Sequence, residues 1–291
     1  MSVIGGAVLG TVTMATPLLL AALGENVVQK SGVVNVGLEG MMLTGALMAI
    51  IGTQWTNNPY LGVVVAAVAG AIIALLFGLF AVRLGANQVV VGVVVNLMAL
   101  GLTGTLSRAL YGKQQSFLTA TPLPHLLWNQ TLLTLLALVA TPMLWWWLNR
   151  TRGGLELRAC GEQPIAAEAS GVPVLRVRLM AVLFGGMMAG IAGACLSVGD
   201  VPTFNEGMSA GRGFIALAIV TSGRWNPWGC LCAALIFGCM DQLGVQGQAL
   251  GVNLPHDLLL ALPYVVTLLI LLSSSRFSQA PASLGRPYRR A

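Results

Sequence analysis

Charged side chains are scarce in this sequence of 291 residues, in which Asp, Glu, Lys and Arg together make up only 8%. Apolar residues make up 56%, and the mean hydropathy is +0.83. A soluble domain of this length needs more polar residues than this to cover its surface. The composition therefore excludes a water-soluble globular protein. It predicts an all-α, polytopic bundle of transmembrane helices.

Residues that serve as catalysts or metal ligands are also few. The chain has two histidines, His125 and His256, and no His-Glu-x-x-His motif, so a zinc enzyme is not expected. Its two lysines, Lys30 and Lys113, do not follow a glycine-rich phosphate loop. We therefore expect no enzymatic activity, no ATP hydrolysis by this chain alone, and no metal or other cofactor.

The cysteines form no recognisable metal pattern. Their number is odd, and most of them lie inside apolar runs, which is typical of small buried hydrophobic residues. They are Cys160, Cys195, Cys230, Cys232 and Cys239.

The net charge of +6 raises the question of a nucleic-acid partner. Most arginines, however, stand in short gaps between apolar runs and in the C-terminal tail. The positive-inside rule places such residues on the cytoplasmic side. The charge therefore predicts the orientation of the chain in a bilayer and no nucleic-acid binding.

Windows of about twenty residues predict about nine membrane spans, of which the seventh is too short for a regular crossing. The predicted spans are 7–24, 37–53, 61–82, 87–106, 131–149, 178–198, 211–223, 228–247 and 257–273. No long linker separates them, so we expect one integral membrane domain over residues 1–291.

The arginines also predict which side each loop faces. Arg83, the loop 150–177 and the arginine-rich tail are expected in the cytoplasm, which places the N-terminus outside. The uncharged loop Thr53–Tyr60 then faces outward as well. Arg108 and Lys113 also fall outside, against the rule.

Residues 155–178, LELRACGEQPIAAEASGVPVLRVR, form a polar island between two apolar runs. Pro164 suits the first turn of a helix, and Gly171 can end that helix in the left-handed conformation. The pattern predicts one short helix within the cytoplasmic loop 150–177, flanked by arginines that include Arg178. A docking site and an ordinary connecting loop both remain open interpretations.

Two further segments, Gly24–Gly40 and Gly199–Gly213, interrupt the apolar pattern with acids, asparagine and glycines. Irregular backbone near the membrane is tolerated only where protein or a water-filled cavity satisfies its polar groups, and broken helices often line a transport path. Ordinary extramembrane loops are the alternative. Both segments contain Glu-Gly-Met, which indicates either duplicated halves or coincidence.

Inside the spans, small and polar residues have separate expected roles. Asn96 lies in the middle of the fourth span, and we assign it to the transport path. Gly186, Gly190 and Gly193 have the small-residue spacing that lets helices approach closely, so we expect them to serve packing.

Two long runs in the sequence have a recognisable pattern, namely SGVVNVGLEGMMLTGA at Ser31–Ala46 and GMSAGRGFIALAIVTSGRWNPWG at Gly207–Gly229. They resemble permease subunits of bacterial ATP-binding-cassette importers, in the family that carries ribose, simple sugars, branched-chain amino acids and nucleosides. They are similar to the nucleoside and simple-sugar branch. The polar island is similar to the coupling loop of the same family.

The resemblance implies roles for individual residues. Glu162–Gly171 is expected to form the coupling helix that sits in a cleft of the ATPase subunit, and the broken segments are expected to lie near the translocation path. The implied coupling residues are Arg158, Gly161, Glu162, Ala166, Ala167, Glu168 and Gly171. The implied path residues are Asn35, Glu39, Phe204 and Asn205, which join Asn96.

The resemblance also implies alternating access in the bacterial cytoplasmic (inner) membrane. The implied partners are an ABC ATPase subunit, a second permease subunit and an external solute-binding protein. A path poor in charge suits a neutral polar solute, and the branch favours a nucleoside over a simple sugar. A self-sufficient secondary carrier for a small neutral solute is the alternative, because broken helices also occur in such carriers.

Overall fold

The structure, a computed structural model, describes residues 3–112, 118–127, 130–200, 202–249 and 280–288. Apolar runs of this length satisfy their backbone in a bilayer as helices, and the described residues form ten α-helices. In chain order they are α1 (Val3–Lys30), α2 (Leu38–Thr56), α3 (Pro59–Gly78), α4 (Gln88–Tyr111), α5 (Leu132–Arg150), α6 (Arg152–Glu162), α7 (Pro164–Ala169), α8 (Val174–Ala194), α9 (Arg212–Ser222) and α10 (Pro227–Ala249). Two π-helical segments, Leu79–Arg83 and Cys195–Asp200, extend α3 and α8. The predicted all-α bundle is confirmed.

Within the described part of the chain, six helices are long and apolar enough to cross a membrane. They cover Gly5–Lys30, Pro59–Arg83, Gln88–Tyr111, Leu132–Arg150, Val174–Gly199 and Pro227–Gln246, and they correspond to six of the predicted spans. The predicted span 37–53 is α2, most of which is buried among its neighbours. The predicted span 257–273 lies outside the described residues.

Helix α8 lies at the centre of the bundle, where it packs against α1, α2 and α3. A Cβ atom on Gly190 would overlap the carbonyl oxygen of Ala66, and one on Gly193 would overlap that of Met42. Gly186 is equally close to α3. The packing role predicted for these glycines is therefore confirmed, because only small residues let the helix backbones approach this closely.

Helix α1 extends further than the sequence predicts. The prediction of an irregular segment from Gly24 to Gly40 was wrong over its first part. Helix α1 continues to Lys30, and only residues 31–37 are non-helical. Glu25 and Gln29 suggested the break, but they lie one turn apart and are both buried. The Nε2 atom of Gln29 donates to Oε1 of Glu25 (3.0 Å), so part of their polarity is satisfied within the helix.

The short seventh span is α9. Its 11 residues rise about 16 Å, roughly half the thickness of the hydrocarbon core. Irregular backbone precedes it over residues 202–211, where Gly207 (φ 72°), Ala210 (φ 46°) and Gly211 (φ 81°) are left-handed. The predicted interruption is therefore confirmed over this range.

Short strands lie at one end of the bundle. β1 (Leu118–Thr119) pairs antiparallel with β4 (Thr203–Phe204), and β2 (His125–Leu127) pairs antiparallel with β3 (Gln130–Thr131). The opposite end brings together the C-terminal end of α1, helices α6 and α7, and residues 280–288, which we call the C-terminal tail.

Candidate functional site

The N-terminal ends of α2 and α9 meet at the carboxylate of Glu39. Its Oε1 atom accepts a hydrogen bond from the backbone N–H of Gly211 (2.8 Å), and its Oε2 atom accepts one from Gly213 (2.6 Å). These N–H groups stand at the start of α9, where the helix dipole favours an anion. One carboxylate therefore joins the two polar segments that the sequence singled out.

The side chain of Asn96, on the neighbouring helix α4, binds backbone groups at the start of α2. Its Oδ1 atom accepts from the backbone N–H of Gly40 (2.8 Å), and its Nδ2 atom donates to the carbonyl oxygen of Val36 (2.9 Å). The amide thus satisfies backbone groups on both sides of the start of α2. We call Glu39, Asn96, Gly211 and Gly213 the Glu39 junction.

Glycine makes the Glu39 junction possible. A Cβ atom on Gly213 would lie 2.6 Å from both Cα and the backbone nitrogen of Glu39, so any side chain there forces α2 and α9 apart. On the other side of α2, a Cβ atom on Gly40 would lie 2.8 Å from Cβ of Ala99. The close backbone approach therefore requires residues without a side chain.

Asn35 belongs to a second, fully buried polar cluster. Its backbone N–H donates to Oε1 of Glu25 (3.1 Å), and its Oδ1 atom accepts from the N–H of Gly37 (3.1 Å). The indole N–H of Trp225 donates to Oε1 of Gln29 (2.7 Å). Asn35 thus braces residues 31–37 from within, and its side chain is fully buried.

Sequence reasoning missed Glu25, Gln29 and Trp225 as parts of this cluster. Glu25 and Gln29 are polar residues four positions apart in an otherwise apolar helix, so they share one face of α1. That spacing was the available signal for a polar contact inside the bundle.

Phe204 and Asn205 lie in the segment 202–211 that precedes α9. Phe204 stands in β4, where its backbone pairs with Leu118, and its side chain is buried in the main hydrophobic core. Asn205 is exposed on the turn that follows. The structure therefore brings Glu39 and Asn96 together at one junction and places Asn35 on the loop that precedes α2. Phe204 and Asn205 lie in the segment that leads to Gly211, and β4 contacts α2.

Arg108, which lies against the positive-inside pattern, forms an exposed ion pair with Glu206. Nε of Arg108 donates to Oε1 of Glu206 (2.8 Å), and Nη2 donates to Oε2 (3.0 Å). The hydrogen bond from Arg108 lowers the pKa of Glu206 below its ordinary value. Arg108 therefore has a charged partner in the folded protein.

At the other end of the bundle, the polar island forms two helices, whereas the sequence predicts one. Thr151 caps α6, since its hydroxyl accepts from the N–H of Gly154 (3.2 Å). Pro164 begins α7, as predicted, and Gly171 follows its end with φ of 87°. Helix α7 covers Pro164–Ala169 and is thus shorter than the expected Glu162–Gly171.

The exposed residues of α7 are apolar, and all but one of them are small. Ile165 is 78% exposed, and Ala166, Ala169 and Gly171 are also exposed. Ala167 faces the opposite way and is only 5% exposed, because it packs against Cys160 and Val174. Ile165, absent from the residues predicted from the sequence, is the large apolar side chain that this face presents.

The other predicted coupling residues differ in position. Gly161 is buried, and a Cβ atom there would overlap the carbonyl oxygen of Lys30. Arg158 and Glu168 are half-buried, and Glu162 is exposed. Gly161 and Ala167 therefore fix α6 and α7 to the bundle, whereas Ala166 and Gly171 belong to the free surface.

The C-terminal tail binds α6, α7 and the loop after α1. The N–H of Ser283 donates to the carbonyl oxygen of Gly161 (2.9 Å), and the N–H of Gly285 donates to that of Gly32 (3.0 Å). The hydroxyl of Tyr288 donates to the carboxylate of Glu168. The tail and the polar island thus lie at the same end of the molecule, as the charge pattern predicts.

Arg178 is the main correction to the charge pattern. The sequence places it among the flanking arginines, but its side chain is only 2% exposed. Its Nη2 atom donates to the carbonyl oxygen of Cys160 (3.1 Å) and to Oγ of Ser283 (3.0 Å), and Nη1 donates to the carbonyl oxygen of Arg286 (3.2 Å). The tail that supplies these acceptors is more than 100 residues away along the chain, so local sequence gave no signal.

Cys160 lies beneath the same contacts. Burial raises the pKa of its thiol to about 11, so the thiol is neutral at physiological pH. The prediction of small buried cysteines is confirmed for Cys160, Cys195 and Cys230, whereas Cys232 is exposed and Cys239 is half-buried.

These features define a multi-pass membrane protein with interrupted helices inside the bundle and a short helix pair at one end. A family model described as "Branched-chain amino acid transport system / permease component" matches residues 7–272. The chain belongs to this family of ABC transporter permeases. Its members are not catalytic and carry no cofactor, because the ATPase partner handles ATP. Membership favours the permease over the self-sufficient carrier.

Three relatives cover most of the chain. The putative glucose ABC transporter permease protein TsgC13 of Haloferax volcanii is 39% identical over 90% of this chain and 83% of its own length. The guanosine ABC transporter permease protein NupQ of Bacillus subtilis is 33% identical over 96% and 94%. The nucleoside ABC transporter permease protein NupC of Lactococcus lactis is 34% identical over 88% of each.

Proposed function

We propose that this chain is the permease subunit of an importer that moves a nucleoside or a simple sugar inward by alternating access. It acts in the cytoplasmic membrane as one integral domain over residues 1–291. Its partners are a second permease subunit, of the same or a different chain, two ATPase subunits and an external solute-binding protein. The observation that carries this proposal is that the bundle contains a carboxylate hydrogen-bonded to backbone N–H groups at the start of α9 and has an exposed apolar helix at one end.

The Glu39 junction favours a neutral solute. Both carboxylate oxygens of Glu39 accept backbone hydrogen bonds at the start of α9, so its charge is already compensated. An amino acid or another charged solute needs an opposite charge along the path, because an unpaired ion in the membrane is costly. Hydroxyl-rich solutes require only the neutral polar groups that such a path offers.

The relatives support the same solute classes. Two of them are named for guanosine or nucleoside transport and one for glucose transport. The ribose of a nucleoside and a simple sugar share hydroxyl groups, which explains how related permeases serve both. We rank the nucleoside first and the simple sugar second.

The solute class is tested by competition for uptake in cells that carry the complete assembly. A radiolabelled nucleoside is expected to enter and to be displaced by excess unlabelled nucleoside, with glucose and ribose as the matched competitors. Uptake of glucose that nucleosides do not displace would select the sugar class. Uptake of a branched-chain amino acid alone would contradict both.

Helix α7 is proposed to dock into the ATPase subunit through Ile165. An exposed isoleucine on a short helix, surrounded by small residues, is the kind of anchor that fills a pocket on a partner. The cytoplasmic location of residues 150–177, proposed from the arginines, puts this helix on the side where ATP is available.

Docking is tested by the affinity of the purified permease for its ATPase subunit in detergent. Ile165→Asp is expected to weaken binding by about tenfold or more, as for loss of an interface anchor. Leu155→Asp is the matched control, because Leu155 is 61% exposed but lies on α6. Equal affinity of Ile165→Asp and the wild type would contradict the docking assignment.

The side of the membrane on which α7 lies can be tested separately. A cysteine introduced at Ala169, an exposed residue of α7, is expected to react with a membrane-impermeant maleimide only in inverted vesicles. Labelling of intact cells at this position would place the helix pair outside and contradict the docking model.

A further inference from the structure

The C-terminal tail is attached to three separate elements at the α6–α7 end of the bundle. Ser283 binds α6 through Gly161, Gly285 binds the loop after α1 through Gly32, and Tyr288 binds α7 through Glu168. The tail therefore forms a physical link between α7 and residues 31–37, which lead directly into α2 and the Glu39 junction.

The link is held by a buried cation. Arg178 has no carboxylate within ion-pair distance among the described residues, and the oxygens that it contacts come from Cys160, Ser283 and Arg286. Its guanidinium also lies over the ring of Tyr288, 5.8 Å from the centroid. Its Nε atom has no hydrogen-bond partner among the described residues, so the bonds from Nη1 and Nη2 carry the compensation of the buried charge. Because a buried charge is costly without such bonds, the tail and Arg178 stabilise each other.

Helix α7 has little other attachment to the bundle. Its six residues contribute one buried side chain, Ala167, which packs beside Tyr288 against Cys160. The tail thus supplies both an apolar neighbour and, through the Tyr288 hydroxyl, a hydrogen bond to a charged group of α7. A displacement of α7 therefore acts on the tail as well as on α8, to which residues 170–173 connect it.

We propose that Arg178 is a positioning residue and that the C-terminal tail transmits movement of α7 to the loop 31–37. This inference rests on the proposed docking of α7 to the ATPase subunit. When the ATPase subunit moves α7, the Tyr288–Glu168 contact moves the tail, and the Gly285–Gly32 contact moves the loop that precedes α2. Energy from ATP then reaches the Glu39 junction by a route additional to the direct α7–α8 connection.

The test is the number of ATP molecules hydrolysed per solute imported by the complete assembly in proteoliposomes. Tyr288→Phe removes the hydroxyl that binds α7 but keeps the ring over Arg178. We expect this ratio to rise about fivefold or more, the lower range of typical coupling between sites, with unchanged assembly. Arg178→Gln is expected to raise it further, and Arg178→Lys to restore part of it by keeping a buried cationic donor.

Ser170→Ala is the matched control. Ser170 directly follows α7, and its hydroxyl donates to the carbonyl oxygen of Ala166 in the same helix, so the ratio should not change. A tail that only stabilises the fold would lower ATP hydrolysis and import in parallel, and an unchanged ratio in Tyr288→Phe and Arg178→Gln would overturn the proposal. Failure of the docking model is distinguishable, because Ile165→Asp would then leave binding of the ATPase subunit intact.

Discussion

Two short helices of this protein each have a charged side chain at one end, and the two charges have opposite sign. Glu39 accepts hydrogen bonds from backbone N–H groups at the start of α9, whereas Arg178 donates to the carbonyl oxygen of Cys160 in the last turn of α6. An anion suits the N-terminal end of a helix and a cation suits the C-terminal end. The two side chains differ in the elements that they connect. Glu39 joins two interrupted helices inside the bundle, and Arg178 joins the chain terminus to the polar island.

The comparison separates two functions on one chain. Loss of the charge at Glu39 is expected to damage the path while docking of the ATPase subunit persists. Loss of the charge at Arg178 is expected to damage coupling while the path persists. Variants that affect the two regions differently test this separation.

The largest effect is expected from Glu39→Ala. It leaves the N–H groups of Gly211 and Gly213 without their acceptor, and hydrogen bonds to a charged group contribute about 1.5–3 kcal/mol each. Uptake by the complete assembly should fall by more than about tenfold. Glu206→Ala is the matched control, since Glu206 stands in the other Glu-Gly-Met step but is exposed. Equal losses in both variants would remove the special role of Glu39.

A smaller effect is expected from Gly213→Ala, which tests the same contact from the side of α9. The added methyl group would lie 2.6 Å from the backbone of Glu39, and overpacking of this kind costs about 1–3 kcal/mol. Thermal unfolding in detergent should therefore shift downward. Gly101→Ala is the control, because nothing lies within 4 Å of a Cβ atom there, and an equal shift in both variants would argue against a tight junction.

The smallest effect is expected from Arg108→Gln, which breaks an exposed ion pair. Exposed pairs contribute little because water and salt screen them, so uptake should change by less than about fivefold. The pKa of Glu206 is lowered, so the pair is present at neutral pH and is lost only as the pH falls through a value below the ordinary 4.5. A change in uptake between pH 7 and pH 5 that disappears in Arg108→Gln would contradict this.

The sequence predicts the bundle well because apolar runs in a bilayer have few alternatives to helices. It also predicts the segment around Glu39, Pro164 at the start of α7 and Gly171 after its end, which follow from local chemistry. It does not predict the burial of Arg178 or Ala167, since both depend on the distant C-terminal tail or on neighbouring helices. The polarity of Asn35 predicts a place on the path, whereas its buried position depends on Glu25 in the preceding helix, which the local sequence does not reveal.

The most direct test compares ATP hydrolysis and uptake in proteoliposomes that contain the complete assembly with either Glu39→Gln or Ile165→Asp. Glu39→Gln keeps one acceptor oxygen and should lose uptake while ATP hydrolysis stays within about threefold of the wild type, a change of less than about 1 kcal/mol. Ile165→Asp should lose both, because the ATPase subunit no longer docks. Parallel loss of hydrolysis and uptake in Glu39→Gln, or full uptake in that variant, would contradict a path at Glu39 that is separate from docking at α7.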